Sequence, residues 1–216
     1  MIPIDALLFD LDGTLIDSKR DLAHSVQYLQ KEYGAPVSSE KQVGAFIGDG
    51  VVKLVERALP ELDAANLEEA VDSFKRYYRR HCVEHTRVYP GVLSTLKYFR
   101  QKKMAVVTNK PVRVSGYILD QLGLSSFFKV LIGGDSLPNK KPHPEPVLSA
   151  LRTMRLENPR RVVMIGDGPN DVESGRAAGT YTCRIRSNIG TPIKNRFISK
   201  PDFAISSMRD LMRIFN

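Results

Sequence analysis

The sequence predicts an α/β fold in which a parallel sheet, covered by helices on both faces, carries an all-helical segment inserted after its first strand. Three observations carry that prediction. Short, uniformly apolar runs at 6–9, 104–107, 130–132 and 162–165 alternate with helix-period segments over the later part of the chain, as strands buried on both faces require. Residues 16–86 show helical periodicity only. Three of the apolar runs end abruptly in polar groups: Asp10 and Asp12, then Thr108, Asn109 and Lys110, then Asp167 with Asp171 four residues later. The carboxyl edge of an open α/β sheet is where ligands bind, so these groups are expected to share one crevice.

In chain order, residues 6–9 form a buried strand that stops at the turn Asp10-Leu11-Asp12-Gly13-Thr14. Ser18 and Asp21 mark a helix start, with the acid in the first turn where it suits the dipole. Leu22, Val26, Leu29 and Tyr33 continue that helix to Gly34. A short helix over 39–45, another over 51–59 stopped by Pro60, and a longer one running toward Cys82 complete the helical segment. His81 and His85 are read as one helical turn apart, as surface and packing residues, because no third metal ligand is evident. After Pro90-Gly91, helix and strand alternate: a helix around 92–99, the strand 104–107, a helix ending before Gly123, the strand 130–132, and a helix around 147–154. The strand 162–165, a helix over 171–178 closed by Gly179, strands at 181–185 and 203–205, and a terminal helix with Met208, Leu211, Met212 and Phe215 follow. The predicted organisation is a core of residues 1–15 and 87–216 with an inserted helical cap of residues 16–86, hinged near 16–17 and 86–88.

Bulk properties narrow the function classes. With 42% hydrophobic and 26% charged residues among 216, general disorder is excluded and one large domain with a small insert is affordable. No apolar run approaches the length of a membrane span, and the first residues lack the features of a signal peptide, so a cytoplasmic location is expected. Two separated cysteines, Cys82 and Cys183, imply no disulfide framework. The net charge of +8 permits an anionic partner. Its basic residues fall in short groups such as Arg79-Arg80 and Lys140-Lys141, without a long tract interleaved with aromatics, which argues against a nucleic-acid groove.

Four acids in one crevice repel one another unless a cation sits among them. A hard divalent ion with oxygen ligands fits, and Mg²⁺ suits a small carboxylate site that shares a phosphate oxygen. Thr108 offers a hydroxyl, Asn109 an amide, and Lys110 or Lys141 an ammonium, all suited to phosphate oxygens.

Taken together, Asp-Leu-Asp-Gly-Thr at 10–14, Val-Thr-Asn-Lys at 107–110, Lys141-Pro142-His143-Pro144 and Gly-Asp-x-x-x-Asp at 166–171 resemble the four ordered motifs of the haloacid dehalogenase superfamily. The resemblance spans nearly the whole chain, implies a Rossmann-like core with a C1-type helical cap, and is greatest to the phosphoglycolate phosphatase branch. It implies a Mg²⁺-dependent phosphomonoester hydrolase with Asp10 as nucleophile and Asp12 as general acid/base. Thr108 and Asn109 would hold the phosphoryl group and Lys141 would neutralise it. Lys140 is set aside, because the pattern wants the lysine directly before proline. The metal site would comprise Asp10, Asp12 through its main-chain carbonyl, Asp167 and Asp171. Gly168 stands where the family often has Ser or Thr. Gly48, Asp49 and Gly50 are either a helix-breaking turn or the part of the cap that encloses substrate. The implied partner is a small phosphorylated metabolite, with no nucleic acid and no membrane, the protein being a monomer or homodimer. Phosphatases for nucleotides, pyrophosphate or sugar phosphates, a phosphomutase, and a non-catalytic phosphoacceptor module are the alternatives.

Overall fold

The computed structural model describes residues 1–186 and 200–216. Among the described residues six strands form one parallel sheet: β1 (Ala6–Phe9), β4 (Lys103–Val107), β5 (Val130–Ile132), β6 (Val162–Gly166), β7 (Tyr181–Ile185) and β8 (Phe203–Ile205), in the order β5-β4-β1-β6-β7-β8. Two short strands omitted from that sheet, β2 (Ile16–Asp17) and β3 (Arg87–Val88), pair antiparallel with each other.

Both faces of the sheet are covered, and alternation along each strand decides what covers them. Leu7 and Phe9 of β1, with Met104, Val106, Val163 and Ile165, point into one apolar cluster. There they meet α5 (Val92–Tyr98), α6 (Val112–Gln121) and the terminal turn of α9 (Leu211–Ile214). Ala6 and Leu8, with Ala105, Val107, Val162 and Met164, point to the other cluster, where α7 (Glu145–Thr153) packs through Val147, Ala150 and Leu151. α8 (Pro169–Ala177) lies against β6 and β7. Every residue of β1 is fully buried, which is why that strand reads as an unbroken apolar run rather than an alternating one.

Between β2 and β3 lie four helices: α1 (Lys19–Glu32), α2 (Glu40–Gly44), α3 (Val51–Ala58) and α4 (Ala64–His81). α1 packs on α2, α3 and α4, and their apolar faces join the first cluster through Leu22, Val26, Val55, Phe74 and Tyr78. Local chemistry sets their ends. Ser39 and Gln42 form a reciprocal capping box on α2, and Asp63 accepts from Asn66 N at the start of α4.

The structure departs from the sequence reading in a few places. The expected hinge segments near 16–17 and 86–88 contain the paired strands β2 and β3, too short for any periodicity to register. Ser18 stands at the N-cap position of α1 but makes no capping bond; its hydroxyl donates to the Asp12 carboxylate instead. Asp21 is in the first turn of α1 as expected, but it also has a second task. It is buried and accepts from His85 N (2.9 Å), Thr86 N (2.8 Å), Thr86 Oγ1 (2.7 Å) and the His85 ring (2.9 Å), fastening the return segment to α1. Helix α4 ends at His81, so His85 lies beyond it and the two histidines are not a helical pair; His81 contacts Glu84. α8 begins at Pro169, two residues earlier than expected, because proline is well suited to a first helical position. The terminal helix is a single 3₁₀ turn, Met208–Asp210, running into the short α9.

Candidate active site

Sheet order brings the sequence motifs together. β4, β1 and β6 are neighbours, with Phe9 level with Val106 on one side and Ile165 on the other. Asp10, Thr108 and Asp167, each the first residue past its strand, therefore emerge side by side at the carboxyl edge. Asp171 joins them from the first turn of α8, where an acid is favoured by the helix dipole. Lys141 arrives from the loop between β5 and α7 and is 2% exposed.

Asp10, Asp167 and Asp171 each offer a carboxylate oxygen, and these oxygens lie within 4.8 Å of one another. Glycine permits that approach at two points. A β-carbon on Gly13, which has φ +82°, would come within 2.4 Å of the Asp167 carboxylate, and one on Gly166 within 2.1 Å of Asp171. The Lys141 ammonium lies 2.5 Å from Asp171 Oδ1 and 3.0 Å from Asp10 Oδ1, and donates to Val107 O at 2.6 Å. Asp10 Oδ1 is buried, with the Lys141 ammonium as its charged neighbour.

One lysine does not balance three carboxylates. Burial raises the Asp10 carboxyl to about 6; Lys141 opposes that shift, and Asp171 and Asp12 add to it. Burial pushes Asp167 well above the ordinary carboxyl range, with Asp171 and Asp10 adding to the shift. For Lys141 burial acts to lower the value, yet Asp10 and Asp171 together hold the ammonium above its usual range. Three converging carboxylates facing a single ammonium fit a hard divalent cation with oxygen ligands.

A family model described as haloacid dehalogenase-like hydrolase matches residues 7–185. The chain belongs to the haloacid dehalogenase-like hydrolase family. Among the members it is similar to are a phosphoglycolate phosphatase of Chromobacterium violaceum, 38% identical over 183 residues and covering 82% of each chain, and one of Aquifex aeolicus, 36% identical over 219 residues and covering 97% of this chain and 96% of that protein. A solved structure described as a predicted phosphoglycolate phosphatase from Haemophilus somnus superposes with a TM-score of 0.92 at 32% identity, covering 99% of both chains.

Within this family member's crevice, Asp12 has its own surroundings. Its side chain stands apart from the trio of carboxylates, with Lys110 Nζ 3.1 Å from Oδ1 and 3.0 Å from Oδ2. Thr108 is 4% exposed, and its hydroxyl accepts from Lys110 N at 3.2 Å. The Asn109 side chain donates to Lys141 O (2.9 Å) and to Gly48 O (3.0 Å). Gly48 is exposed and Asp49 half-buried, yet both are tied to the sheet edge by hydrogen bonds. Asn170 Nδ2 reaches Gly48 O (3.2 Å) and Asp49 Oδ1 (2.8 Å), Lys140 Nζ donates to Asp49 O (2.5 Å), and Arg57 pairs with the Asp49 carboxylate. Gly50 is beside Lys140, whose Nζ would be 3.0 Å from an added β-carbon.

Four residues of this constellation have no site role in the sequence reading: Ser18, Tyr78, whose ring centre lies 4.6 Å from Lys110 Nζ, Lys140, which is set aside there in favour of Lys141, and Asn170. Ser18 reads as a cap and Tyr78 as a core position of α4; only tertiary packing gives either a second role. Asn170 was within reach, since it lies between the two acids of the fourth motif, but a lone Asn carries no spacing signal.

Proposed function

We propose that this chain is a Mg²⁺-dependent phosphomonoester hydrolase that converts 2-phosphoglycolate to glycolate and phosphate through a phosphorylated Asp10. The position of Asp10 carries the reading: it follows the last residue of β1, among two further carboxylates and 3.0 Å from the Lys141 ammonium. The substrate follows from the phosphoglycolate phosphatases of Chromobacterium violaceum and Aquifex aeolicus, which align over most of the chain.

An Asp10 oxygen attacks phosphorus, and the bond from phosphorus to the ester oxygen breaks. Asp12 passes its proton to that oxygen, so the alcohol leaves neutral. Asp12 then takes a proton from water as the water attacks phospho-Asp10, restoring the carboxylate and releasing phosphate. The Thr108 hydroxyl and the Asn109 main chain hold the transferring oxygens, and Lys141 offsets their charge. Asp10, the main-chain carbonyl of Asp12 and Asp167 would hold the metal ion, with Asp171 supporting them. Bound there, Mg²⁺ neutralises charge on the phosphoryl group.

Residues 16–86 act as the cap of a core made of residues 1–15 and 87–216, with Gly48, Asp49 and Gly50 closing on substrate and excluding water. The enzyme works in the cytoplasm as a monomer or homodimer on a small phosphorylated metabolite; no helix among the described residues is long and apolar enough to cross a membrane. The test is a phosphate-release screen over phosphorylated metabolites with and without Mg²⁺. Preferred, Mg²⁺-dependent release from 2-phosphoglycolate supports the reading. Isomerisation of a hexose 1-phosphate, or stoichiometric phosphorylation without turnover, overturns it.

A further inference from the structure

We propose that Lys110 is the positioning residue for Asp12, so that each of the two acids in the opening motif is served by its own lysine: Asp10 by Lys141, and Asp12 by Lys110. This rests on the hydrolase reading above and assigns a task that its mechanism leaves unfilled. A proton donor must be aimed at the leaving oxygen, and a short side chain on a turn has no fixed aim of its own.

Three contacts supply the aim. Lys110 Nζ meets both Asp12 oxygens, at 3.1 and 3.0 Å, which fixes the plane of the carboxylate as a single contact would not. Ser18 donates to Oδ1 from the other end of the turn. The ammonium is itself fixed, with the Lys110 side chain only 5% exposed and Nζ lying 4.6 Å from the centre of the Tyr78 ring on α4. A cation held over an aromatic face and shielded from water keeps its place. Lys110 N also donates to the Thr108 hydroxyl, so one residue orients both the phosphoryl-holding side chain and the proton donor. Lys141 cannot substitute, because its ammonium is committed to Asp10, Asp171 and Val107 O.

The decisive readout is how activity depends on the leaving group. An alkoxide needs a proton to depart, whereas an aryl oxide such as p-nitrophenolate leaves without one. Misaiming Asp12 therefore penalises alkyl phosphates selectively in kcat/KM, which reports the steps through departure of the alcohol. For Lys110→Met, kcat/KM on 2-phosphoglycolate is expected to fall by about 100-fold, in the range typical of general acid catalysis, through kcat and with KM little changed. On p-nitrophenyl phosphate the fall is expected to be about 3-fold or less. Lys110→Arg keeps the charge but changes the geometry of contact, and its loss on 2-phosphoglycolate should be about 10-fold; it provides the same comparison if the Met variant unfolds. In an Asp12→Asn background, Lys110→Met should add nothing further. Equal losses on the two esters, no loss on either, or full additivity with Asp12→Asn would overturn the assignment. A wild-type enzyme inactive on both esters would instead sink the hydrolase reading, and this inference with it.

Discussion

The side chain of Asn109 spans the crevice, with Nδ2 3.0 Å from Gly48 O on the helical segment and 2.9 Å from Lys141 O on the sheet side. Asn170 approaches the same Gly48 carbonyl from α8 at 3.2 Å. One backbone oxygen is therefore held from both sides of Asp10, and the helical segment is docked by hydrogen bonds rather than by apolar contact alone.

Loss of the Asn170 contacts should weaken closure without disturbing the chemistry. Asn170→Ala removes the contacts to Gly48 O and Asp49 Oδ1, each worth about 0.5–1.5 kcal/mol net. A rise of roughly 3–10-fold in KM, with a smaller change in kcat, is expected from steady-state kinetics. An unchanged KM would mean that the docked arrangement is not the one that binds substrate.

Asp21 predicts an acid-labile contribution to stability. Burial alone raises its carboxyl, but the Thr86 hydroxyl and amide and the His85 amide and ring outweigh burial and hold it below the ordinary range. A carboxyl lowered on folding stabilises fully above its unfolded value, about 3.9, and loses that contribution as pH falls through the folded value. Asp21→Asn should therefore cost about 2–4 kcal/mol at pH 7, and the gap to wild type should shrink below pH 4. Urea denaturation at pH 7 and at pH 3 measures both, and a gap independent of pH would refute the assignment.

Gly13 should tie metal response to backbone conformation. Its φ of +82° strains any other residue, and an added β-carbon would displace the Asp167 carboxylate. Gly13→Ala is expected to lose about 1–3 kcal/mol of stability and most of the Mg²⁺-induced rise in melting temperature. In the wild type, Mg²⁺ at 100 times its dissociation constant should add about 2.7 kcal/mol. Thermal melts with and without the ion decide it; a Gly13→Ala protein with a full Mg²⁺ response would contradict the coupling of Gly13 to the metal site through Asp167.

The sheet was legible because burial on both faces writes strands as unbroken apolar runs, and β1, β4 and β6 each stop where an acid or Thr108 begins. Their convergence needed only adjacency, which the order β4-β1-β6 supplies. What was illegible rests on contacts distant in sequence. Asp21 meets Thr86 across 65 positions, Lys110 meets Asp12 across 98, and Asn170 meets Asp49 across 121. No local pattern encodes such pairs. Ser18 shows the same limit at short range, for a serine before a helix reads as a cap whichever acceptor it later finds.

The central claim is that Asp10 carries the phosphoryl group. Acid quenching during turnover of 2-phosphoglycolate, followed by peptide mapping of hydroxylamine-labile phosphate, tests it directly. The account predicts the label on Asp10 in the wild type and neither label nor phosphate release in Asp10→Asn. A label on another residue, or phosphate release by Asp10→Asn at the wild-type rate, would contradict it.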